Sequence, residues 1–258
     1  MFGCILGDIV GSVYEHKNHS PKIDFDLFSS NSRFTDDSVL SIATADALLQ
    51  NYSFEEAYLK WGRKYPLAGY GENFMNWLSS SNPLPYNSFG NGSAMRVAPI
   101  GWFANTIDEC LELAKQSAIV THNHPEGIKG AQAVASAVYL AKNKLTKNEI
   151  KAFLTKEFQY ELERSYAIVA KDYSFDVSCQ GSVPEAIICF LESESTEDAI
   201  RKAVLLNGDT DTQACIAGGI AEAFFVDISR ADKNTIKLFL KEDMNAILDS
   251  FESHVSSF

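Results

Sequence analysis

An all-α domain is the fold this chain predicts, on three observations. Apolar residues recur at helical spacing in segment after segment, helix-start signals stand before them, and the alternation of half-buried strands is nearly absent. At 258 residues with 46% hydrophobic content, the chain can bury a substantial core, and residues 1–258 are expected to form a single compact orthogonal multi-helix domain. No repeat, linker or low-complexity tract divides it.

Residues Phe2 to Tyr14 carry Gly3, Gly7 and Gly11 at intervals of four. In a helix these glycines share one face and permit close approach by a neighbour, while Asp8, Gly11 and Glu15 line one side. Asp8 would then point into packing or a site, and Glu15 would stand at the helix end. A polar loop from His16 to Arg33 follows, placed to cover whatever the next cluster binds. That cluster is Phe34, Thr35, Asp36, Asp37 and Ser38, followed by a helix from Ser38 to Gln50. Ser53 with Glu56 makes a capping box for a helix running to Lys64. Pro66, Gly69 and Gly71 break it before a short segment at Phe74–Leu78, and Pro83 and Pro85 stop regular structure.

Tyr86 to Pro99 is glycine-rich. Gly90 and Gly92 let the backbone curl, and a helical turn from Ser93 onwards would expose N–H groups able to hold an anion. The stretch lacks the dinucleotide and Walker fingerprints, and a loop that merely turns is the plain alternative. Asp108 to Thr121 reads as helix, and Pro125 opens another through Leu140. His122 and His124 stand between them, but no third Cys or His follows at metal spacing, which disfavours zinc. A pocket-facing histidine or a structural hydrogen bond remain. Thr146 and Glu149 box the start of a helix to Phe158. Phe158 to Gly181 is poorly periodic. Ser182 with Glu185 is expected to cap a helix through Leu191, Thr196 one to Leu206, and Ala231 to Phe251 supplies one or two more.

Just before the last of these lies Asn207, Gly208, Asp209, Thr210, Asp211, Thr212, opening the small apolar run Ala214 to Phe225. Two carboxylates pressed against an apolar helix are costly unless a cation or a set of donors offsets them. If the fold joins this corner to the one at Thr35–Asp37, the two make one hard-cation site with mostly oxygen ligands. Taken singly, each is equally well explained by capping, since Asp and Thr are ordinary N-cap residues.

Composition narrows the partners. A net charge of −12 and an isoelectric point near 4.9 argue against a nucleic-acid backbone binder, while a small nucleotide-like ligand stays compatible. Five scattered cysteines without CxxC spacing fit core positions in a reducing compartment. The start MFGCILGDIVG lacks a basic n-region, and no stretch is long enough to span a bilayer, so a cytoplasmic location away from membranes is expected, with a monomer as default.

The motifs GDIVGSVYE at Gly7–Glu15, FTDDS at Phe34–Ser38, GNGSAMRVAP at Gly90–Pro99, THNHPEG at Thr121–Gly127 and NGDTDTQACIAGGIAEA at Asn207–Ala223, in this order, resemble the ADP-ribosylglycohydrolase family. The resemblance implies an all-α fold with two magnesium ions in a cleft, manganese being an alternative occupant. It implies metal ligation by Thr35, Asp36, Asp37, Asp209, Asp211 and Thr212, with Asp37 and Asp211 also positioning water. Glu15 matches an acidic residue near the scissile bond, and Asp8 a supporting position. Asn91, Gly92, Ser93, Met95 and Arg96 match a diphosphate and ribose cradle, and His122 and Gly127 further substrate contacts. Ser38 replaces the commoner Thr after the paired aspartates. The implied reaction is hydrolysis at ribose C1″ of an ADP-ribosylated protein side chain, such as arginine or serine, or of a small molecule. A metal-dependent nucleotide phosphohydrolase and a non-catalytic ADP-ribose-binding protein are the alternatives.

Overall fold

The glycine spacing at the start of the chain sets the central packing. In the computed structural model, which describes residues 1–15 and 21–256, helix α1 (Phe2–Gly11) lies antiparallel against α12 (Thr210–Phe225). A Cβ on Gly3, Gly7 or Gly11 would stand 2.2, 2.0 or 2.3 Å from the carbonyl oxygens of Gly218, Ala214 or Thr210. Only hydrogen fits at such distances. The Thr210 hydroxyl donates to the Gly11 carbonyl at 2.9 Å. At the other end Glu222 accepts from the backbone N–H groups of Phe2 and Gly3, at 3.0 and 2.8 Å, and so satisfies two orphan donors at the start of α1.

The remaining helices follow their caps. Helix α2 (Asp36–Gln50) starts two residues earlier than the sequence suggests, because Thr35 is its N-cap and accepts from the Asp37 N–H. The capping boxes at Ser53–Glu56 and Thr146–Glu149 open α3 (Phe54–Lys64) and α8 (Lys147–Phe158) as expected. Between them come α4 (Glu72–Ser79), a 3-10 turn at Asn91–Ser93, α5 (Ala98–Phe103), α6 (Ile107–Ile119) and α7 (Pro125–Lys142). The alanine-rich α7 packs on α5, α6 and α12. The chain finishes through α9 (Tyr166–Asp172), α10 (Cys179–Leu191), α11 (Thr196–Leu205), α13 (Arg230–Phe239) and α14 (Glu242–Val255).

Two cap assignments shift. Ser178, not Ser182, caps α10 by accepting from the Gly181 N–H, and Ser182 becomes a buried helix residue whose hydroxyl donates to the Ser178 carbonyl at 2.7 Å. Glu185 is thereby released from a capping role and pairs with Arg164 at 2.9 Å. Ser195 caps α11, while Thr196 gives its N–H to Asp227 at 3.0 Å. In both places an equivalent hydroxyl lies slightly upstream, and tertiary contacts decide which one the helix uses.

Among the described residues extended pairing is confined to one isolated bridge between Gly90 and Ser178. All five cysteines are buried and free of disulfides. Among those residues no helix is long and apolar enough to cross a membrane. His16 to Ser20, the first part of the expected polar loop, lie outside the described residues.

Candidate active site

The antiparallel packing of α1 on α12 delivers Asp8 and the turn beyond α1 to the first turn of α12. Asp8 is a tertiary cap for α2: its Oδ2 accepts from the backbone N–H groups of Thr35 (2.9 Å) and Ser38 (3.1 Å) and from the Ser38 hydroxyl, and the Thr35 hydroxyl lies 2.5 Å from Oδ1. A carboxylate suits the positive end of a helix. Burial, and after it the charge of Asp211, nevertheless push its carboxyl up to about 7.

Asp37 is buried without that provision. Its Oδ2 has the hydroxyls of Thr35 and Thr212 at 3.2 and 3.4 Å, but its buried Oδ1 has no hydrogen-bond partner. Burial raises its carboxyl well above the ordinary range, and Asp211, Asp8, Asp36 and Asp209 add to the effect. Asp209 is raised in the same way, by burial and then Asp211, although the Asn91 Nδ2 donates to it at 2.7 Å. Asp36 is half-buried and likewise raised by burial and Asp211. Its Oδ1 faces Gly69, where a Cβ would come within 3.4 Å; the φ of +108° there favours glycine.

Carboxylate oxygens of Asp8, Asp37 and Asp211 lie within 4.8 Å of one another, and so do those of Glu15, Asp209 and Asp211. The two clusters share Asp211. Carboxylates this close cannot all stay ionised without positive charge among them. The donors are carboxylates with hydroxyls beside them and no thiol or imidazole, a set that suits a hard divalent cation, and the orphaned Asp37 oxygen gives such an ion a ligand already in place.

All of these acids except Asp8 line a cavity of about 500 Å3. The turn at Gly90–Gly92 and His122 line it as well, and the Asn91 side chain joins the turn to Asp209. The Asn91 N–H donates to the Val177 carbonyl and the Cys179 N–H to that of Phe89, both at 2.8 Å, and these bonds pin the turn to the start of α10. His122 is buried, and a Cβ on Gly92 would stand 3.1 Å from its Nε2. Burial, assisted by the Arg96 charge, holds its imidazole well below the ordinary range, so the ring is neutral at physiological pH.

Of the residues singled out from sequence, Glu15, Thr35, Asp36, Asp37, Asn91, Gly92, Met95, Arg96, His122, Asp209, Asp211 and Thr212 line this one cavity. Ser93 and Gly127 stand one layer behind: the Ser93 hydroxyl donates to the Gly127 carbonyl at 2.8 Å, and a Cβ on Gly127 would come within 2.7 Å of the Ser88 carbonyl. Sequence reasoning gave the loop Tyr65–Asn87 a part in meeting the leaving group without naming residues in it, and named none at Ser88 or Val177. Ala68, Gly69, Gly71, Glu72, Asn73, Phe74, Tyr86, Ser88 and Val177 all line the cavity, the first three in a turn. The glycines at 69 and 71 were a usable signal for that turn. Val177 offered none, since it acts through its backbone carbonyl.

An all-α domain with a cleft floored by carboxylates from two helix starts is thus the class that fold and site define. The ADP-ribosylglycohydrolase family model matches residues 1–225, and the chain belongs to that family. It is similar to the ADP-ribosylhydrolase ARH3 of Xenopus tropicalis (26% identical, covering 87% of this chain and 85% of the relative) and of Homo sapiens (27%, covering 86% and 83%). It is also similar to the ADP-ribosylarginine hydrolase Tri1 of Pseudomonas putida (strain GB-1), at 24% identity over 87% of this chain and 69% of that protein. A solved structure described as an ADP-ribosylglycohydrolase-related protein complex superposes with a TM-score of 0.74, covering 95% of this chain and 93% of its own at 24% identity, which establishes the shared fold.

Proposed function

We propose that this protein is a divalent-cation-dependent hydrolase that cleaves the glycosidic bond at ribose C1″ of an ADP-ribosylated substrate and releases ADP-ribose. The observation that carries the reading is the buried, unpartnered Oδ1 of Asp37, which belongs to one of two carboxylate clusters that share Asp211. A site so acidic is built to be neutralised by ions, and family membership supports an ADP-ribosyl group as what those ions meet.

Thr35, Asp36, Asp37, Asp209, Asp211 and Thr212 would hold two magnesium ions, which when bound supply the positive charge that orients ribose hydroxyls and polarises water. The remaining work falls to the chain. The Gly90–Gly92 turn and His122 present the wall on which the diphosphate and ribose rest, with Met95 beside them and Arg96 buried behind. Glu15, half-buried beside Asp209 and Asp211, is the group placed to exchange a proton with water or leaving group. In the reaction water adds its oxygen to C1″, the bond from C1″ to the leaving nitrogen or oxygen breaks, and the leaving atom takes up a proton. The transition state carries positive charge on the sugar, which the surrounding carboxylates stabilise.

The test is incubation of purified protein and magnesium with arginine-linked and serine-linked ADP-ribosyl peptides and with ADP-ribose. Free ADP-ribose released from a peptide is the expected outcome, and the name of the Pseudomonas relative makes the arginine-linked peptide the first to try. Release of AMP or phosphate would replace this reading with a phosphohydrolase, and binding without turnover with an ADP-ribose-binding protein.

A further inference from the structure

Beside the cavity lies a buried cation that the chemistry above does not explain. Arg96 has no exposed surface, although it was expected from sequence to touch substrate. Its guanidinium carbon sits 4.2 Å above the Tyr58 ring, whose hydroxyl is in turn held by Thr44 at 3.0 Å and Ser117 at 2.7 Å. The Arg96 Nη2 donates to the Ser117 carbonyl at 2.7 Å and to the Thr121 hydroxyl oxygen at 3.0 Å. That hydroxyl lies 2.7 Å from the His122 Nδ1, and the opposite ring nitrogen, Nε2, overlies Gly92.

We infer that Arg96, acting through Thr121, fixes His122 as the tautomer with hydrogen on Nε2, so that the cavity is offered a neutral hydrogen-bond donor rather than an acceptor. A guanidinium can only donate. The Thr121 oxygen therefore spends a lone pair on Arg96 and keeps one hydrogen to give. The His122 Nδ1 is a close acceptor for it, and a ring that accepts at Nδ1 carries its own hydrogen at Nε2. The other tautomer would aim Nδ1–H at an oxygen already polarised by a cation. It would also leave the threonine hydrogen to Tyr86, which adjoins both Thr121 and the His122 ring and has a hydrogen of its own. An Nε2–H over the glycine turn recognises an oxygen of the ligand. That this oxygen belongs to a phosphate or ribose rests on the reading proposed above. Arg96 is then a positioning residue, whose charge reaches the ligand through two intervening groups.

Nitrogen NMR of the full-length chain labelled with 15N-histidine, at pH 7 without cation or ligand, tests the relay directly. The expected signature for His122 is a protonated Nε2 and a bare Nδ1. Thr121→Val keeps the side-chain shape, removes the hydroxyl and should mix the tautomers, while Thr121→Ser restores the signature. Calorimetry with ADP-ribose and magnesium should show affinity falling about fivefold in Thr121→Val, the loss of one neutral hydrogen bond, and recovering in Thr121→Ser. Arg96→Met should shift the ring toward Nδ1–H; if that variant does not fold, the Thr121 pair still decides. An Nδ1–H signature in the parent protein, or a His122 spectrum that Thr121→Val leaves unmoved, overturns the inference. A parent protein that binds no ADP-ribose yet shows the signature, lost with valine and regained with serine, upholds the relay and counts against the functional reading alone.

Discussion

Asp46 and Asp37 sit on the same helix, both with almost no exposed surface, but Asp46 lies next to a half-exposed lysine and Asp37 among other acids. The Oδ2 of Asp46 accepts from the Lys60 Nζ and the Trp61 Nε1, each at 2.7 Å, and from the Tyr52 hydroxyl. Burial works to raise its carboxyl, but these donors and the lysine charge outweigh burial and hold it below the ordinary value. The charges acting on Asp37 are all carboxylates, and one of its oxygens has no partner. Burial of a carboxylate is thus no functional signal by itself. What separates the two is the counter-charge, which the chain supplies at Asp46 and does not supply at Asp37.

The sharpest way to break this comparison is kinetic. Asp37→Asn or Asp211→Asn should lower ADP-ribose release on the order of a thousandfold, the scale of losing a charged group that organises a transition state. Asp46→Asn should stay within about twofold of the parent per folded molecule, because its partners are internal. Comparable losses in all three would erase the distinction.

Stability should then move in opposite directions. Asp46→Ala strands the Tyr52 and Trp61 donors and should cost about 2 kcal/mol in chemical denaturation, the ammonium of Lys60 being half in water. Asp37→Asn removes one of several mutually repelling charges, so the cation-free variant should be no less stable than the parent and gain about 1 kcal/mol. Magnesium at a hundred times its dissociation constant should stabilise the parent by about 2.7 kcal/mol, and chelation should reverse that gain. In Asp37→Asn the gain should shrink sharply.

The smallest effect is on pH dependence. Asp8 titrates near 7 in the folded chain against an ordinary value of 3.8, so the folded state binds its proton more tightly than the unfolded state. Its contribution is fully present below 3.8 and is lost as pH rises through about 7. Asp37 and Asp209 shift in the same direction. The lowered carboxyl of Asp46 works the other way, contributing above the ordinary value and losing its effect in acid. Cation-free protein should therefore melt at a lower temperature at pH 8 than at pH 5. Magnesium should flatten the difference, because cations and protons compete for the same oxygens. A melting temperature that climbs from pH 5 to 8 in chelator would contradict the charge assignment.

Much of this was legible in the sequence because its signals were local. The capping boxes at Ser53 and Thr146 open the helices they should, and the interval between Gly3, Gly7 and Gly11 is a backbone contact surface written in residue size. The two acid corners and the glycine turn stood out by composition, and they line one cavity. The rest depended on partners distant along the chain. That Ser178 caps α10 ahead of Ser182, that α9 forms with only Val169 buried, and that a Val177 carbonyl holds the Gly90–Gly92 turn are outcomes of packing without a periodic signature. The contrast between Asp37 and Asp46 was equally hidden, since two aspartates on one helix read alike until the neighbours of each are known.

The central claim is that divalent ions complete the acid corners, and anomalous diffraction from crystals grown in manganese tests it most directly. The account predicts two peaks with Asp211 between them, one touching Asp37 and the other Asp209. A well-ordered cleft that shows no peak there at saturating manganese would contradict it.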